Sequence, residues 1–385
     1  MALFYYDIRM MENTDSKNKL SEVAKLFLKL GVFAFGGPAA HIAMMEDEVV
    51  KKKKWMSHEH FLDLVGITNL IPGPNSSEMA MHCGQERAGW KGLIVAGMCF
   101  IVPAVLITLI IAWLYQSYGQ LPEVAPFIFG IKPSVIAIVV SALISLGKKA
   151  LKTIELGILG IITFVACLFG VNEIVALFGC GAMGVMLYFL KKMKPSANVF
   201  IPIATIYALP LSLDNYKIFW IFLKIGSLLY GSGYVLFAFL DAELVAKGFI
   251  GRQVIIDSIA VGQFTPGPIL STATFVGWQL NGLWGAIVAT IGIFLPSFVL
   301  VYFLNPIIPK LRKSKAMSAF LNAVNVASVA IILVVCVEMG KETITDWRSI
   351  LIALISFIVI FLLKKLNSAF IVLGGSITGY LLLLI

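Results

Sequence analysis

Ile71-Pro72-Gly73-Pro74 returns 194 residues later as Thr265-Pro266-Gly267-Pro268, each time inside an apolar stretch, and Asp63 and Asp257 each stand nine residues ahead of the first proline. Working outward, Lys29 and Gly31 recur as Lys224 and Gly226, Gly36 as Gly231, Gly92 as Gly285, Pro103 as Pro296, and Gly147-Lys148 as Gly340-Lys341. Asn172, Gly179 and Gly184 recur as Asn367, Gly374 and Gly379. The offset stays between 193 and 195, so the chain is duplicated and slippage is confined to loops. A duplicated apolar chain with helix breakers at matching places is the pattern of a secondary transporter.

Composition identifies the solvent as lipid. Hydrophobic residues make up 59% of the chain and charged ones 13%, with a mean hydropathy of +0.93, far from the balance of a soluble fold. Segments long enough to cross a hydrocarbon core lie near residues 92–115, 125–147, 153–169, 172–190, 283–304, 317–339, 347–363 and 367–385. A shorter apolar stretch, 198–213, carries Pro202 and Pro210 and has no counterpart in either half. The motif-bearing segments 22–50, 57–83, 216–243 and 254–278 are apolar but interrupted. The expected fold is an all-α, polytopic integral membrane protein. It divides into a tail (1–21), a first repeat (22–190), a basic linker with the unpaired segment (191–215) and a second repeat (216–385). No secretory signal is visible in Met1 to Ser21, which reads as a cytoplasmic tail.

Orientation follows from lysine and arginine, which cytoplasmic loops retain. The tail, the loop with Lys148, Lys149 and Lys152, the linker with Lys191, Lys192 and Lys194, the loop with Lys310, Arg312, Lys313 and Lys315, and the Lys364-Lys365 turn are basic and are expected inside. The loops at 116–124, 170–173 and 279–282 and the C-terminus lack such residues and are expected outside. The segment from Gly92 then runs outward and its partner from Gly285 runs inward, so the repeats are inverted, with 198–213 supplying the extra crossing. Lys51 to Lys54 would lie outside if segments 22–50 and 57–83 cross the membrane, and inside if both are re-entrant hairpins; four lysines in a row favour hairpins.

Proline lacks an N–H and clashes with the preceding turn, so Pro72-Gly73-Pro74 and Pro266-Gly267-Pro268 interrupt their helices. Breaks at membrane depth are tolerated only where the freed backbone faces protein or a watery cavity. Asn75, Ser76 and Ser77 follow the first break and Ser271 the second; Asn or Ser there can cap a new half-helix. Such a helix N-terminus offers amide donors and partial positive charge to an anion. Gly36-Gly37-Pro38, answered by Gly231-Ser232-Gly233, is a second break of the same kind. Four interrupted helices related by a pseudo-two-fold axis would meet near the midplane, where inverted-repeat carriers bind substrate; packing kinks are the plainer alternative.

Charge inside a bilayer is expensive and marks function. Lys29 and Lys224 are candidates to hold an anion, or else snorkel to the headgroups. Asp63 and Asp257 are candidates to carry a coupling proton or to hold the broken backbone, with Asn69 and Gln263 further along their segments. Glu78 and His82 share one helical face and are further coupling candidates; their counterparts, Thr272 and Val276, are uncharged, so any role is asymmetric. His41 reads as a hydrogen-bonded structural histidine, with titration near neutral pH the alternative. Glu46, Glu48, Asp241 and Glu243 read as solvated interfacial charge.

The five cysteines lack metal spacing, and His58-Glu59-His60 puts its histidines on different helical faces, unlike a zinc-hydrolase motif. No nucleotide-binding fingerprint or catalytic constellation is present, so neither a cofactor nor enzymatic activity is expected. The formal net charge of +9 fits basic loops on an anionic leaflet and not a nucleic-acid partner. A homo-oligomer stays open.

Phe35-Gly36-Gly37-Pro38-Ala39-Ala40-His41, Glu46, Glu48, Trp55, Phe61, Asp63, Ile71 to Glu78, Arg87-Ala88-Gly89 and Phe100-Ile101-Val102-Pro103 resemble the chromate transporter family. Both halves fit, so the resemblance covers nearly the whole chain after the tail, in the long form with two fused halves. It implies a bacterial inner-membrane protein that exports chromate and confers resistance. The second half departs from the first, with Gly-Ser-Gly for Gly-Gly-Pro and no Asn-Ser-Ser-Glu, which leaves open whether both halves bind substrate. Transport of sulfate or another oxyanion, including uptake, and a non-transporting membrane scaffold or sensor remain as alternatives.

Overall fold

A computed structural model describes residues 2–35, 37–119, 121–192, 214–230, 233–304, 314–363 and 366–384. The unpaired segment 198–213, Gly36, Gly231 and Ser232 lie outside the described residues. In the first repeat, α1 is Ala2–Phe33, α2 Gly37–Glu46 with a widened π turn over Asp47–Lys52, α3 His58–Thr68, α4 Asn75–Tyr118, α5 Ala125–Ala150, α6 Ile154–Leu168 and α7 Glu173–Lys192. The second repeats the order. There α8 is Asn215–Leu228, α9 Val235–Leu240 with a π turn over Asp241–Val245, and α10 Arg252–Phe264. A single 3₁₀ turn at Ile269–Ser271 leads into α11 (Thr272–Leu304), followed by α12 (Lys315–Thr343), α13 (Trp347–Leu362) and α14 (Ser368–Leu384).

The motif segments are helical hairpins broken at their tips. In the first, α1 descends to Ala34, breaks, and returns through α2, so that Lys29 meets Glu48 at 2.9 Å. In the second, α3 descends, breaks at Pro72 to Pro74, and returns as the start of α4, so that His60 at one root meets Glu86 at the other, 3.3 Å away. Ala88 and Gly89 then leave helical geometry, Gly89 with φ +64°, and α4 folds back on itself. The two legs touch so closely that a side chain on Gly84 would strike the carbonyl of Gly92, which explains glycine at both positions. Asn281 and Gly282 (φ +57°) make the same reversal in α11, where Gly277 lies against Gly285. The 11 residues of α3 rise about 16 Å, half the thickness of a hydrocarbon core.

The repeats point opposite ways. The roots of the first two hairpins gather where Arg87 bonds Glu22 at 2.8 Å and His58 meets Glu46 at 3.1 Å. The crossing leg of α4 leaves that face and ends at the other, where the Tyr115 hydroxyl donates to Asp257 at 2.6 Å and Trp278 Nε1 donates to Gln116 at 2.6 Å. Asp257 and Trp278 belong to the fourth hairpin's roots, beside Asn215 bonded to Asn281 at 2.9 Å and Arg252 bonded to Asp241 at 2.7 Å. One pair of hairpins therefore enters from each face and the tips meet between them.

Around this centre α1 packs on α4, α8 on α11 and α4 on α11, while the outer helices exchange partners, α7 lying on α12 and α14 on α5. At the last seam a side chain on Gly130 would strike the Gly375 carbonyl. Among the described residues, five helices are long and apolar enough to cross a membrane, while α6, α13 and α14 are shorter apolar helices. Large side chains such as Leu106, Ile110, Ile161 and Ile358 stand more than 50% exposed, an apolar surface suited to lipid.

Candidate functional site

The broken backbone is re-satisfied across the repeats. Gly73 N–H donates to the carbonyl of Leu229 at 2.8 Å, and Gly267 N–H donates to the carbonyl of Ala34 at 2.9 Å. Gly73 and Gly267 are equivalent in the duplication, and so are Ala34 and Leu229. Each Pro-Gly-Pro tip is thus pinned to the first-type tip of the opposite repeat. Two of the glycine amides that the sequence offered to an anion are used in this way. His41, buried and 3.1 Å from the Ala34 carbonyl through Nε2, supports the same tip, the structural role expected for it.

Capping differs from expectation. Pro74 occupies the N-cap of α4 with no side-chain cap, and Asn75 already lies inside the helix. Its amide donates instead to Asn69 Oδ1 at 2.8 Å, across the break. Ser271 falls in the 3₁₀ turn, where its hydroxyl accepts from Thr108 at 3.3 Å. Proline at the N-cap leaves no polar side chain there to accept from the first-turn amides.

Around Gly267 the tips leave a small cleft of about 30 Å³, lined by Gly37, Pro38, Gly233, Tyr234, Gly262, Gln263, Thr265, Gly267, Ile269 and Ser368. Helix starts converge on it. Gly37 and Pro38 open α2, Gly233 and Tyr234 precede α9, Ile269 opens the 3₁₀ turn that leads into α11, and Ser368 opens α14. Gln263 Nε2 donates to the Tyr234 hydroxyl at 3.2 Å, bridging two of these walls.

Around Gly73 the equivalent place is closed. Ser76, Ser77, Glu78, His82 and Ser297 are buried, and Glu78 is 0% exposed. A Cβ on Gly73 would overlap both the Glu78 carboxylate and the Ser297 hydroxyl, so those two groups face each other across the tip. Both Glu78 oxygens, Ser77 Oγ, Ser297 Oγ and both His82 nitrogens lack a hydrogen-bond partner. At the matching positions around the Gly267 tip stand Thr272, whose hydroxyl donates to the Ile269 carbonyl at 2.6 Å, and, from the first repeat, Ala104. The asymmetry read from the sequence therefore takes the form of one open, uncharged cleft and one sealed carboxyl.

The remaining candidates lie apart from both places. Lys29 and Lys224 are exposed and brace their hairpins, Lys224 2.6 Å from Glu243. Glu243 itself is 3% exposed and also bonds Lys247 at 2.6 Å, so it is a buried, paired group and not the solvated interfacial charge expected. Asp63 is half-buried on α3 and engaged. Asp257 is buried between Tyr115 and Lys132, whose ammonium is 3.9 Å away. Sequence reading passed over Lys132, although a lysine within the apolar run 125–147 was its own signal. It also missed Thr265, Tyr234, Ser368 and Ser297, of which Thr265 stands next to the break and Ser297 follows the repeated proline Pro296. Among the described residues no cluster of His, Cys, Asp and Glu could hold a metal ion.

A family model described as chromate transporter matches the chain twice, over residues 21–185 and 216–380. An uncharacterized transporter of Methanocaldococcus jannaschii is 30% identical over 394 aligned positions, taking in 97% of this chain and 96% of that protein. A probable chromate transport protein of Synechococcus elongatus is 28% identical over 94% of this chain and 95% of its own length. A chromate transport protein of Cupriavidus metallidurans is 27% identical over 94% and 92%. No solved structure matches.

Proposed function

We propose that this chain, which belongs to the chromate transporter family, carries chromate or a similar tetrahedral dianion out across a bacterial inner membrane. The observation that carries the reading is the convergence of helix starts on the cleft beside Gly267. Each helix N-terminus is equivalent to roughly half a positive charge, so three or four of them offset a dianion to first order without a buried cation. Oriented amides suit oxyanion oxygens, with Gln263 and Ser368 as further donors. An uncharged cradle also binds weakly enough to release its guest, which a carrier requires.

Inverted hairpins meeting tip to tip supply the moving part. If one repeat rocks against the other, the cleft opens to each face in turn. The basic loops orient the first repeat's hairpin roots and the N-terminus toward the cytoplasm and the C-terminus outward. Moving one charge through 100 mV is worth about 2.3 kcal/mol. A dianion leaving a negative-inside cell gains roughly twice that, enough for a gradient of around three decades. Proton exchange can add to this drive.

Purified protein in liposomes is expected to move radiolabelled chromate when a potential is imposed with potassium and valinomycin. Flux indifferent to both potential and pH would reject the proposal. Sulfate competing at equal concentration would show that the cradle reads tetrahedral shape and charge; selective sulfate flux would reassign the substrate within the same mechanism.

A further inference from the structure

We propose that Glu78 is the proton-carrying group of the transport cycle, holding a proton while the tip of the second hairpin is docked on the opposite repeat and losing it when that tip parts. The inference rests on the carrier reading above and deepens it. Glu78 is 0% exposed, has no cation as partner, and lies between Gly73 on its own tip and the Ser297 hydroxyl on α11. An ionised carboxylate there would be a buried, unpaired charge, which costs several kcal/mol. The neutral acid carries no such penalty, and its O–H can turn toward Ser297 Oγ.

The groups facing Glu78 do not offer an alternative neutraliser. Its own helix presents His82, α11 presents Ser297, and the third hairpin's tip presents Tyr230, which lies within electrostatic reach. No lysine or arginine pairs with it. The Gly267 tip has Thr272 and, from the first repeat, Ala104 in the corresponding places, with the Thr272 hydroxyl satisfied by the Ile269 carbonyl. A structural requirement of the Pro-Gly-Pro tip would be met by that arrangement, so the carboxyl serves something the second tip does not do.

Docking and protonation are linked by position. Gly73 N–H holds Leu229 of the other repeat, and Glu78 stands five residues on, against that repeat's Ser297. Parting the tip exposes the carboxyl to water, and its proton passes to a water molecule, leaving carboxylate. Re-docking requires that one proton be returned from the aqueous side then open. The cycle thus takes up and gives off one proton at this group.

Infrared difference spectroscopy of the full chain in liposomes, between acidic and alkaline buffer, is expected to show a carboxylic-acid C=O band that shifts in D₂O and is absent from Glu78→Gln. The band should survive in His82→Gln. In the flux assay the wild-type rate should change by as much as about tenfold per pH unit on its steep limb, as release of a single proton allows. Glu78→Gln should be flat with pH, and His82→Gln should keep the slope. Absence of the band, or an unchanged pH profile in Glu78→Gln, would overturn the proposal, as would flux that requires sodium and ignores pH. The infrared measurement needs no substrate. A protein that showed the Glu78 band but moved no oxyanion would therefore refute the carrier reading and not the protonation.

Discussion

Replacing Gly73 by alanine should be far more damaging than replacing a glycine of similar backbone strain in an open turn. Gly73 has φ +140°, a region that L-residues occupy at about 1–3 kcal/mol. The added methyl overlaps the Glu78 carboxylate and the Ser297 hydroxyl; Glu78 is long enough to swing, but it is sealed, so it moves only by opening the tip, at about 1–3 kcal/mol of overpacking. Displacing the tip then loses the Gly73 to Leu229 hydrogen bond, about 1 kcal/mol. Together these destabilise the docked tip by roughly 3–7 kcal/mol, about two to five decades in its population. Gly248 is the control, with φ +72° and nothing within 4 Å of an added Cβ, so alanine there costs only about 1–2 kcal/mol. Chromate flux per inserted molecule, with thermal unfolding in detergent to confirm that both variants fold, reads the contrast. A Gly73→Ala carrier as active as Gly248→Ala would refute the argument that tip docking is part of the cycle.

The hydrogen bond from Lys29 holds the Glu48 carboxyl below its usual range. A depressed carboxylate stabilises the fold at neutral pH and loses that contribution as the pH falls through its folded value. Acidification should therefore loosen the first hairpin, read as faster proteolysis at Lys51 to Lys54, and Lys29→Ala should show the faster cleavage already at neutral pH. At the start of α13, Asp346 accepts from Ser349 N–H at 2.8 Å while Ser349 Oγ accepts from Asp346 N–H at 3.2 Å. Asp346→Ala should cost about 1 kcal/mol, read as a lowered midpoint of thermal unfolding in detergent, with flux per folded molecule unchanged.

The fold was legible because its decisive signals are local and occur twice. A Pro-Gly-Pro in an apolar run can only be a break, and a second copy in register fixes a duplication. Lys51 to Lys54 favoured hairpins because four ammonium groups mark one side of a membrane. The site was legible only as far as the breaks themselves. Which amides stay free depends on what the opposite repeat presents, and nothing local in Gly73 or Gly267 announces Leu229 or Ala34 as acceptors. Lys29 and Lys224 drew attention as intramembrane cations, yet their acids lie 19 residues on, a pairing that exists only once each hairpin folds back. Ser368 joins the cleft from α14 because the outer helices exchange partners between repeats, a tertiary arrangement no motif encodes.

Pseudo-symmetry gives the unlike tips a mechanical meaning. In an inverted-repeat carrier the two end states are approximately the same structure with the repeats' roles exchanged. In the state described here the cleft lies at the Gly267 tip and the Gly73 tip is sealed; exchange would seal Gly267 and open the backbone around Gly73. Sealing the Gly267 side brings together Thr272, already bonded to the Ile269 carbonyl, and Ala104, so it buries no unpaired polar group. Opening the Gly73 side brings Glu78, Ser77 and Ser297 to water. A carboxyl on only one tip therefore meets water in one end state and protein in the other, so its deprotonation accompanies parting of the tip and its reprotonation accompanies re-docking. Placing glutamate at both tips would require a bound proton in either state, and placing it at neither would leave rocking uncoupled from pH. Glu78 opposite Ser297, mirrored by Thr272 opposite Ala104, is the arrangement that ties one protonation to one direction of movement.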